Sequence, residues 1–213
     1  MLVYQTEFFG HSTLGLLGLA TEDVCYLPVE IEKIQTQKIS ETLQTKVKKT
    51  SLYNSFLIGL FSAANSKYIF VPEIISEIKN LEKEVIKLTG IFTTLGNLIL
   101  CNDKGCILSP YLAEKKYFFE NELKLKTEAT TISDLPFPGI LAAVTNKGGI
   151  VHKNCKDAEI EILEKTLGVE FKRLEFYENF PGAEILANSK GLIAPKNLKG
   201  QELAEIQEGL KIF

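Results

Sequence analysis

Residues 96–110 of this 213-residue chain read GNLILCNDKGCILSP, and they hold the pattern on which the fold depends. A short apolar run begins at a glycine, the tetrapeptide NDKG has the composition of a tight turn, and a second apolar run ends at a proline. This pattern predicts a β-hairpin. Four other stretches follow the same pattern, so the chain contains an internal repeat.

The five copies are spaced 37 to 44 residues apart, a period typical of propeller blades and solenoid repeats. Each copy begins at a glycine, and the five are Gly15, Gly59, Gly96, Gly139 and Gly182. Each then reaches a polar turn residue, and these are Thr21, Asn65, Asn102, Asn146 and Asn188. The 25 residues after Asn188 and the 20 before Thr21 together make one more period. We therefore expect the chain ends to complete the fifth unit of a closed ring, which leaves no open sheet edges.

The repeat predicts an α/β fold of five β-β-α-β units around a pseudo-five-fold axis, that is, a five-bladed α/β propeller. Because no proline-, serine- or glycine-rich linker interrupts the repeats, we expect a single domain over residues 1–213. Residues 1–8, MLVYQTEF, have β-forming character and no unit of their own. We expect them to form the final strand of the fifth blade, beside the C-terminal end of the chain near Phe213.

Apolar residues that recur every three or four positions predict an outer helix in most blades. The expected buried faces are Ile74, Ile78 and Leu81 in blade two, Ile160, Leu163 and Leu167 in blade four, and Leu203, Ile206 and Leu210 in blade five. The helix of blade four should begin near Asp157, end at Gly168 and direct its glutamates, including Glu159, towards water. Shorter or less regular helices are expected at residues 39–43 and 113–122.

The composition restricts the classes of function. With 45% hydrophobic residues the chain can bury a substantial core, yet its longest apolar stretch, residues 56–64, is far shorter than the roughly 20 residues of a membrane-spanning helix. The N-terminus lacks the features of a secretory signal, so we expect a soluble protein of the cytoplasm. A formal net charge of −3 and an isoelectric point near 5.6 argue against general nucleic-acid binding and favour a basic protein partner.

Three of the four cysteines occupy positions that are mostly apolar in the other blades. In the aligned repeats, Cys25 and Cys106 correspond to Ile69, Ile150 and Leu192, and Cys101 corresponds to Ala20, Ala64, Thr145 and Ala187. We interpret the three as buried apolar side chains. The absence of a CxxC pattern and of a secretory signal indicates a reducing compartment.

Cys155 lies three residues after His152, and such a pair can form a nucleophile with its base or half of a metal site. A zinc site needs about four ligands, however, and the other histidine, His11, is remote in sequence. The acidic residues of the predicted helices fall mainly on polar faces, and no catalytic carboxylate pair emerges. The residues therefore predict neither a catalytic site nor a metal or other cofactor.

Three phrases of the sequence resemble the archaeal and eukaryotic translation initiation factor six family. They are LGNLILCND at residues 95–103, TNKGGIVH at 145–152 and ANSKGLIAP at 187–195, within repeats that cover essentially the whole chain. The resemblance implies the pentein fold and a protein without enzymatic activity that binds the large (50S) ribosomal subunit and prevents its association with the small (30S) subunit by steric occlusion. It also implies contact with ribosomal protein L14, near the sarcin-ricin loop of the rRNA. We further expect a role in large-subunit maturation, a monomeric state and no membrane or small-molecule partner, while direct contact with the rRNA stays open.

The chain departs from the family pattern at two points. Lys153 stands where a proline usually follows the histidine, which leaves the shape of that loop open. The chain also ends at Phe213 without the C-terminal tail of eukaryotic members, as expected of an archaeal form without tail-based regulation.

Guanidino-modifying enzymes such as arginine deiminases and amidinotransferases share the fold and remain an alternative, because fold alone does not determine function. They resemble one another in having a late cysteine nucleophile with histidine and acidic partners around the central channel. Here no cysteine follows Cys155. A scaffold for some other partner is a third alternative.

The repeats also predict where a binding surface lies. Strands that run from their glycines to their turns place all glycines on one face of the disc and all turns on the other. The residue after the glycine is Leu16, Leu60, Ile140 or Ala183 in four blades and Asn97 in blade three. Asn97 either satisfies a local backbone group or serves binding, and the resemblance, in which this asparagine faces the ribosome, favours binding. We expect Asn97 to contact the large subunit. Its apolar surround is expected to comprise Leu95, Leu16 and Leu60.

Overall fold

The computed structural model describes residues 2–75 and 80–213. Strands within these residues form five three-stranded sheets, each built from one repeat, and the predicted five-bladed α/β architecture is confirmed. Blade one contains β2 (Leu19–Ala20), β3 (Val24–Pro28) and β4 (Lys46–Thr50), and blade two contains β5 (Ala63–Ala64), β6 (Tyr68–Pro72) and β7 (Glu84–Leu88). Blade three contains β8 (Ile99–Cys101), β9 (Gly105–Leu108) and β10 (Lys126–Ala129), and blade four contains β11 (Ala142–Val144), β12 (Gly149–Val151) and β13 (Phe171–Arg173). Blade five contains β14 (Leu186–Asn188), β15 (Gly191–Pro195) and β1 (Val3–Thr6).

Blade five is completed by the N-terminal strand. β1 lies parallel to β15, with Val3 opposite Leu192. The prediction that residues 1–8 complete this blade is confirmed for the described residues of the segment, and Met1 lies outside them. A helix separates β15 from Phe213 along the chain, and Val3 of β1 packs in the same core cluster as Ile212, the residue before Phe213. The single-domain organisation stays a prediction.

The described helices are of two kinds, single inner turns and longer outer helices. In chain order they are α1 (Leu14–Leu17), α2 (Lys33–Leu43), α3 (Ile58–Phe61), α4 (Leu95–Leu98), α5 (Lys116–Asn121), α6 (Pro138–Leu141), α7 (Asp157–Leu167), α8 (Pro181–Glu184) and α9 (Gly200–Leu210), with a 3₁₀ segment at Pro110–Lys115. The inner turns α1, α3, α4, α6 and α8 each open one blade, and the sequence pattern did not predict them.

The inner turns form a closed ring around the axis. Each contacts the next, and α8 contacts α1. Each of the five repeat glycines lies in one of these turns, and a Cβ atom there would overlap a backbone carbonyl of the preceding blade. A Cβ atom on Gly59 would overlap the carbonyl of Gly15, and one on Gly15 would overlap the carbonyl of Gly182. Glycine is therefore required at these positions by the close approach of neighbouring backbones.

The outer helices agree in part with their predicted faces. Buried positions that confirm the prediction are Leu163, Leu167, Ile206 and Leu210, while Ile160 and Leu203 are only partly buried. α7 ends as predicted at Gly168, whose φ of 64° is left-handed. α2 begins at Lys33, earlier than the predicted span 39–43, and blade three combines the 3₁₀ segment with the short α5.

The predicted helix face of blade two is wrong at Ile74. This residue is 56% exposed, because it lies in the turn that directly follows β6. Leu81 is partly buried, and Ile78 lies outside the described residues.

Glu159 is buried and does not face water as predicted. Its carboxylate accepts hydrogen bonds from Thr131 Oγ1 and from the backbone N–H groups of Ser133, Asp134 and Lys156. Burial raises the pKa of this carboxyl, but the hydrogen bonds outweigh burial and hold the pKa below its usual value. Glu159 thereby joins the start of α7 to the loop that precedes α6.

Among the described residues, the hydrophobic core forms five clusters, each lying between two neighbouring blades. Every sheet thus contributes one face to the cluster on either side of it, and the cluster between blades five and one closes the circle. Within the part of the chain that the structure describes, no helix has the length and apolar character needed to cross a membrane.

Candidate binding surface

The strand directions give the propeller two unlike ends. The first strand of each blade leads from the inner turn to the hairpin turn, and the second and third strands both run back. We call the end that carries the inner turns, together with the loops after the second and third strands, the glycine face. We call the end that carries the five hairpin turns the turn face.

The turn residue of blade four is Thr145, not Asn146. Thr145 Oγ1 accepts hydrogen bonds from the backbone N–H groups two and three positions ahead, as Asn102 Oδ1 does in blade three. Threonine and asparagine are both common turn residues, and the predicted alignment was therefore one residue out of register in this blade. In consequence Gly149, not Ile150, corresponds to the buried Cys25 and Cys106, and Val144, not Thr145, corresponds to Cys101.

Polar groups of the turn face are satisfied within the ring. Asn102 Nδ2 donates to the carbonyl oxygens of Thr145 (3.1 Å) and Leu167 (2.9 Å), both in blade four. Asn188 makes the two equivalent bonds to blade one. Since Leu167 is the last residue of α7, Asn102 satisfies a carbonyl that the helix leaves free. These asparagines hold blades together and leave little for a partner to bind.

Glu22 spans the mouth of the axis on the turn face. Its carboxylate accepts one hydrogen bond from Ser189 Oγ (2.6 Å) in blade five and another from the backbone N–H of Asn146 (3.4 Å) in blade four. Behind it lies an axial cavity of about 110 Å³, lined mainly by glycines, alanines and larger apolar residues. Among the described residues that line this cavity, Cys101 is the one with a titratable side chain. A cavity so lined offers no carboxylate to pair with a guanidinium ion.

Large apolar side chains are exposed mainly on the glycine face. Those in the loops of this face are Phe9, Val29, Tyr53, Phe56, Ile74, Ile91, Tyr111, Leu135, Phe137, Phe176 and Phe180. The ring of Phe9 contacts Phe56, with 5.7 Å between centroids, and Tyr111 contacts both Phe92 (5.2 Å) and Phe137 (6.4 Å). The five hairpin turns, all within the described residues, expose no large apolar side chain. Apolar side chains grouped on one face are typical of interaction surfaces, and the repeat pattern did not predict this group.

Asn97 lies in α4, on the glycine face beside the inner ring. Its Oδ1 atom is buried without a hydrogen-bond partner, and its side chain bonds to no described residue. The alternative in which Asn97 satisfies a local backbone group therefore finds no support. Asn97 as a whole is partly exposed, but its Oδ1 atom is itself inaccessible and is satisfied by no described residue.

The expected apolar surround of Asn97 stays a prediction for two of its three residues. Leu16 and Leu60 are partly exposed. Leu95 is 1% exposed and packs in the cluster between blades two and three, so its prediction as a surface contact is wrong. As the first residue of α4, it anchors the turn that carries Asn97. Ile91, in the loop that precedes α4, is 88% exposed.

Cys155 and His152 do not form a nucleophile with its base. Cys155 is buried, and burial raises the pKa of its thiol to about 12, so the thiolate is scarcely populated near neutral pH. His152 Nδ1 accepts a hydrogen bond from the backbone N–H of Asn154 (3.3 Å) and lies 3.2 Å from Ser133 Oγ. Burial, assisted by the charge of Lys153, lowers the pKa of His152. No group of three or more potential metal ligands is found among residues 2–75 and 80–213.

Comparisons with known proteins agree on one family. The chain matches the eIF-6 family over residues 3–210. It is 36% identical to translation initiation factor 6 of Methanocaldococcus jannaschii, with 100% of this chain and 99% of the relative covered. It is 33% identical to that of Methanococcus vannielii, with both chains fully covered, and 29% identical to that of Staphylothermus marinus, with 99% and 98% covered. With a match over nearly its whole length, the chain belongs to the eIF-6 family, and the similar archaeal proteins are named as translation initiation factors.

Proposed function

We propose that this chain binds the large (50S) ribosomal subunit through its glycine face and prevents the small (30S) subunit from joining by occupying the surface that joining requires. Membership of the eIF-6 family and the names of its archaeal relatives support a ribosome-related partner. On this proposal the chain acts as a monomer in the cytoplasm, meets ribosomal protein L14 and neighbouring rRNA, and takes part in large-subunit maturation.

The unpaired amide oxygen of Asn97 is the observation that carries the choice of face. A buried acceptor without a donor costs about 1–3 kcal/mol, and because Asn97 is partly exposed, rotation of its side chain towards a donor of the partner would remove this cost on binding. The equivalent positions in the other blades are apolar, so the ring itself does not require an asparagine here. A polar group with no internal partner, at the centre of a face that exposes many apolar side chains, is suited to the middle of an interface.

The charges of the glycine face suit a basic protein. Among its lysines, Lys153 and Lys196 are paired with carboxylates of the chain, whereas Lys115 bonds to the hydroxyl of Thr89. Glu30, Glu32 and Glu114, by contrast, are exposed and form no ion pair with any described residue. Unpaired carboxylates beside aromatic rings are complementary to lysine and arginine side chains, which the basic segments of ribosomal proteins supply.

Sucrose-gradient sedimentation with purified archaeal subunits tests the proposal. The chain is expected to sediment with the large subunit and, when added before the small subunit, to reduce the peak of joined ribosomes. Sedimentation with the small subunit, or joined ribosomes in undiminished amount, contradicts it. Release of ammonia or citrulline from arginine would instead support a guanidino-modifying enzyme.

A matched pair of variants tests the face. Asn97→Ser changes the glycine face, whereas Lys147→Ser changes an exposed residue of the turn face. We expect the first to reduce sedimentation with the large subunit and the second to leave it unchanged. The reverse result places the binding surface on the turn face.

A further inference from the structure

Two cysteines face each other across the hairpin of blade three. Cys101 ends β8 and is directly opposite Cys106 in β9. The backbone N–H of Asn102 donates to the carbonyl of Gly105 (3.1 Å), so the cysteine pair occupies the next position, which is not hydrogen-bonded in an antiparallel ladder. Such pairs have Cα atoms about 4.5 Å apart, within the range of about 4.4–6.8 Å that a disulfide spans.

The two thiols differ in access. Cys106 is fully buried in the cluster between blades two and three. Cys101 is partly exposed and lines the axial cavity of about 110 Å³. Burial raises the pKa of Cys106 well above its usual value, and contact with Cys101 acts in the same direction. Cys101 is therefore the thiol that a small molecule reaches first. No other blade has two thiols at these positions.

We propose that Cys101 and Cys106 form a peroxide-sensitive dithiol, in which hydrogen peroxide that enters the axial cavity converts the pair into a disulfide across the hairpin of blade three.

The reaction has two balanced steps. The Cys101 sulfur attacks one oxygen of hydrogen peroxide, the O–O bond breaks, and a sulfenic acid and one water are formed. Because burial keeps the Cys106 thiol protonated, its proton passes to the Cys101 hydroxyl as the Cys106 sulfur attacks the Cys101 sulfur, and the hydroxyl leaves as a second water. In total the dithiol loses two electrons and two protons, and one peroxide becomes two waters.

The cavity selects the oxidant by size. A volume of about 110 Å³ admits a molecule with two heavy atoms but not a tripeptide disulfide. The disulfide closes a loop around residues 102–105. Two residues of this loop, Asn102 and Asp103, bond to blade four, so oxidation should restrict the turn that joins the two blades.

Peptide mapping of the folded, peroxide-treated chain tests the proposal. Trypsin cuts after Lys104, between the two cysteines, so the peptides of residues 88–104 and 105–115 separate unless a disulfide joins them. We expect a joined pair of peptides, a loss of about 2 Da from the intact chain, and the loss of two free thiols. Oxidised glutathione at equal concentration should react at least roughly tenfold more slowly, relative to a small thiol standard.

Two cysteine variants provide the controls. Cys101→Ala introduces the residue found at this position in blades one, two and five, and it should lose no thiol under the same treatment. Cys155→Ala retains the pair and should still lose two. Three results would each overturn the proposal. They are unlinked peptides in the treated wild type, sulfinic acid at Cys101 without the link, and linkage in the Cys155→Ala variant that is no greater than in Cys101→Ala. If oxidised glutathione oxidises the pair as fast as hydrogen peroxide does, each rate taken relative to a small thiol standard, the cavity does not select the oxidant.

Discussion

The two faces of the propeller use asparagine in opposite ways. On the turn face, Asn102 accepts two backbone hydrogen bonds and donates two to blade four. On the glycine face, Asn97 has a buried amide oxygen with no partner. Both residues lie in blade three, five positions apart. A polar residue of a repeat is therefore structural when the neighbouring blade supplies its hydrogen-bond partners. It is a candidate for binding when no described residue supplies one.

Removal of residues 1–8 should have the largest effect. The deletion removes β1 and the fully buried Phe8, and it leaves β15 with an open edge. Loss of the Phe8 side chain alone should cost about 3–5 kcal/mol of unfolding free energy. Thermal unfolding measures the effect, and an unchanged melting temperature would contradict the closure of the ring by β1.

Gly59→Ala should be nearly as severe. Its methyl group would overlap the carbonyl oxygens of Gly15 and Gly18, which belong to backbone and cannot turn away. We expect a loss of about 3 kcal/mol or more in urea unfolding. Gly200→Ala is the control, because a Cβ atom there meets nothing within 4 Å. Equal stability of the two variants would disprove tight packing of the inner ring.

Asn102→Ser should have an intermediate effect on stability. Thr145 shows that a hydroxyl can accept the two backbone bonds of the turn, so serine loses chiefly the donors to Thr145 and Leu167. We expect a cost of about 1–3 kcal/mol. Asn121→Ser, on the exposed surface of α5, should cost little by the same urea measurement. If Asn102→Ser loses no more unfolding free energy than Asn121→Ser, these bonds do not stabilise the turn face.

Glu159→Gln should have a smaller, pH-dependent effect. The pKa of Glu159 is below its ordinary value of 4.5 in the folded chain, so its ionised form stabilises the fold above pH 4.5. This contribution is lost as the pH falls through the folded pKa. At pH 7 we expect Glu159→Gln to cost about 1–2 kcal/mol, and the difference from wild type should shrink below pH 4.5. A difference that grows with acidity would contradict this assignment.

The sequence predicted those features that the repeat itself encodes. Five hairpins, their closure by β1 and the helix from Asp157 to Gly168 all follow from spacing, periodicity and a glycine stop. Aromatic residues in the loops before the inner glycines were also visible in the sequence. Phe9, Tyr53, Phe137 and Phe180 are exposed, whereas Phe92 is partly buried.

Other features depend on contacts that no local pattern reports. The inner turns span four residues, too few for helical periodicity to be recognised. Glu159 is buried by a loop some 25 residues away in sequence, and Leu95 is buried by blade two. The register of blade four was ambiguous because threonine and asparagine stand side by side at its turn. The unpaired state of Asn97 requires knowledge of every neighbour within reach.

Asn97→Ser provides the most direct measurement of the central claim, with Asn102→Ser as its matched control. Binding of each folded variant to purified large subunits is measured together with its melting temperature. We predict that Asn97→Ser weakens binding by roughly 1–3 kcal/mol and leaves the melting temperature nearly unchanged, whereas Asn102→Ser lowers the melting temperature and leaves binding nearly unchanged. Normal binding by folded Asn97→Ser, or unfolding in place of weakened binding, would contradict the assignment of the glycine face as the ribosome-binding surface.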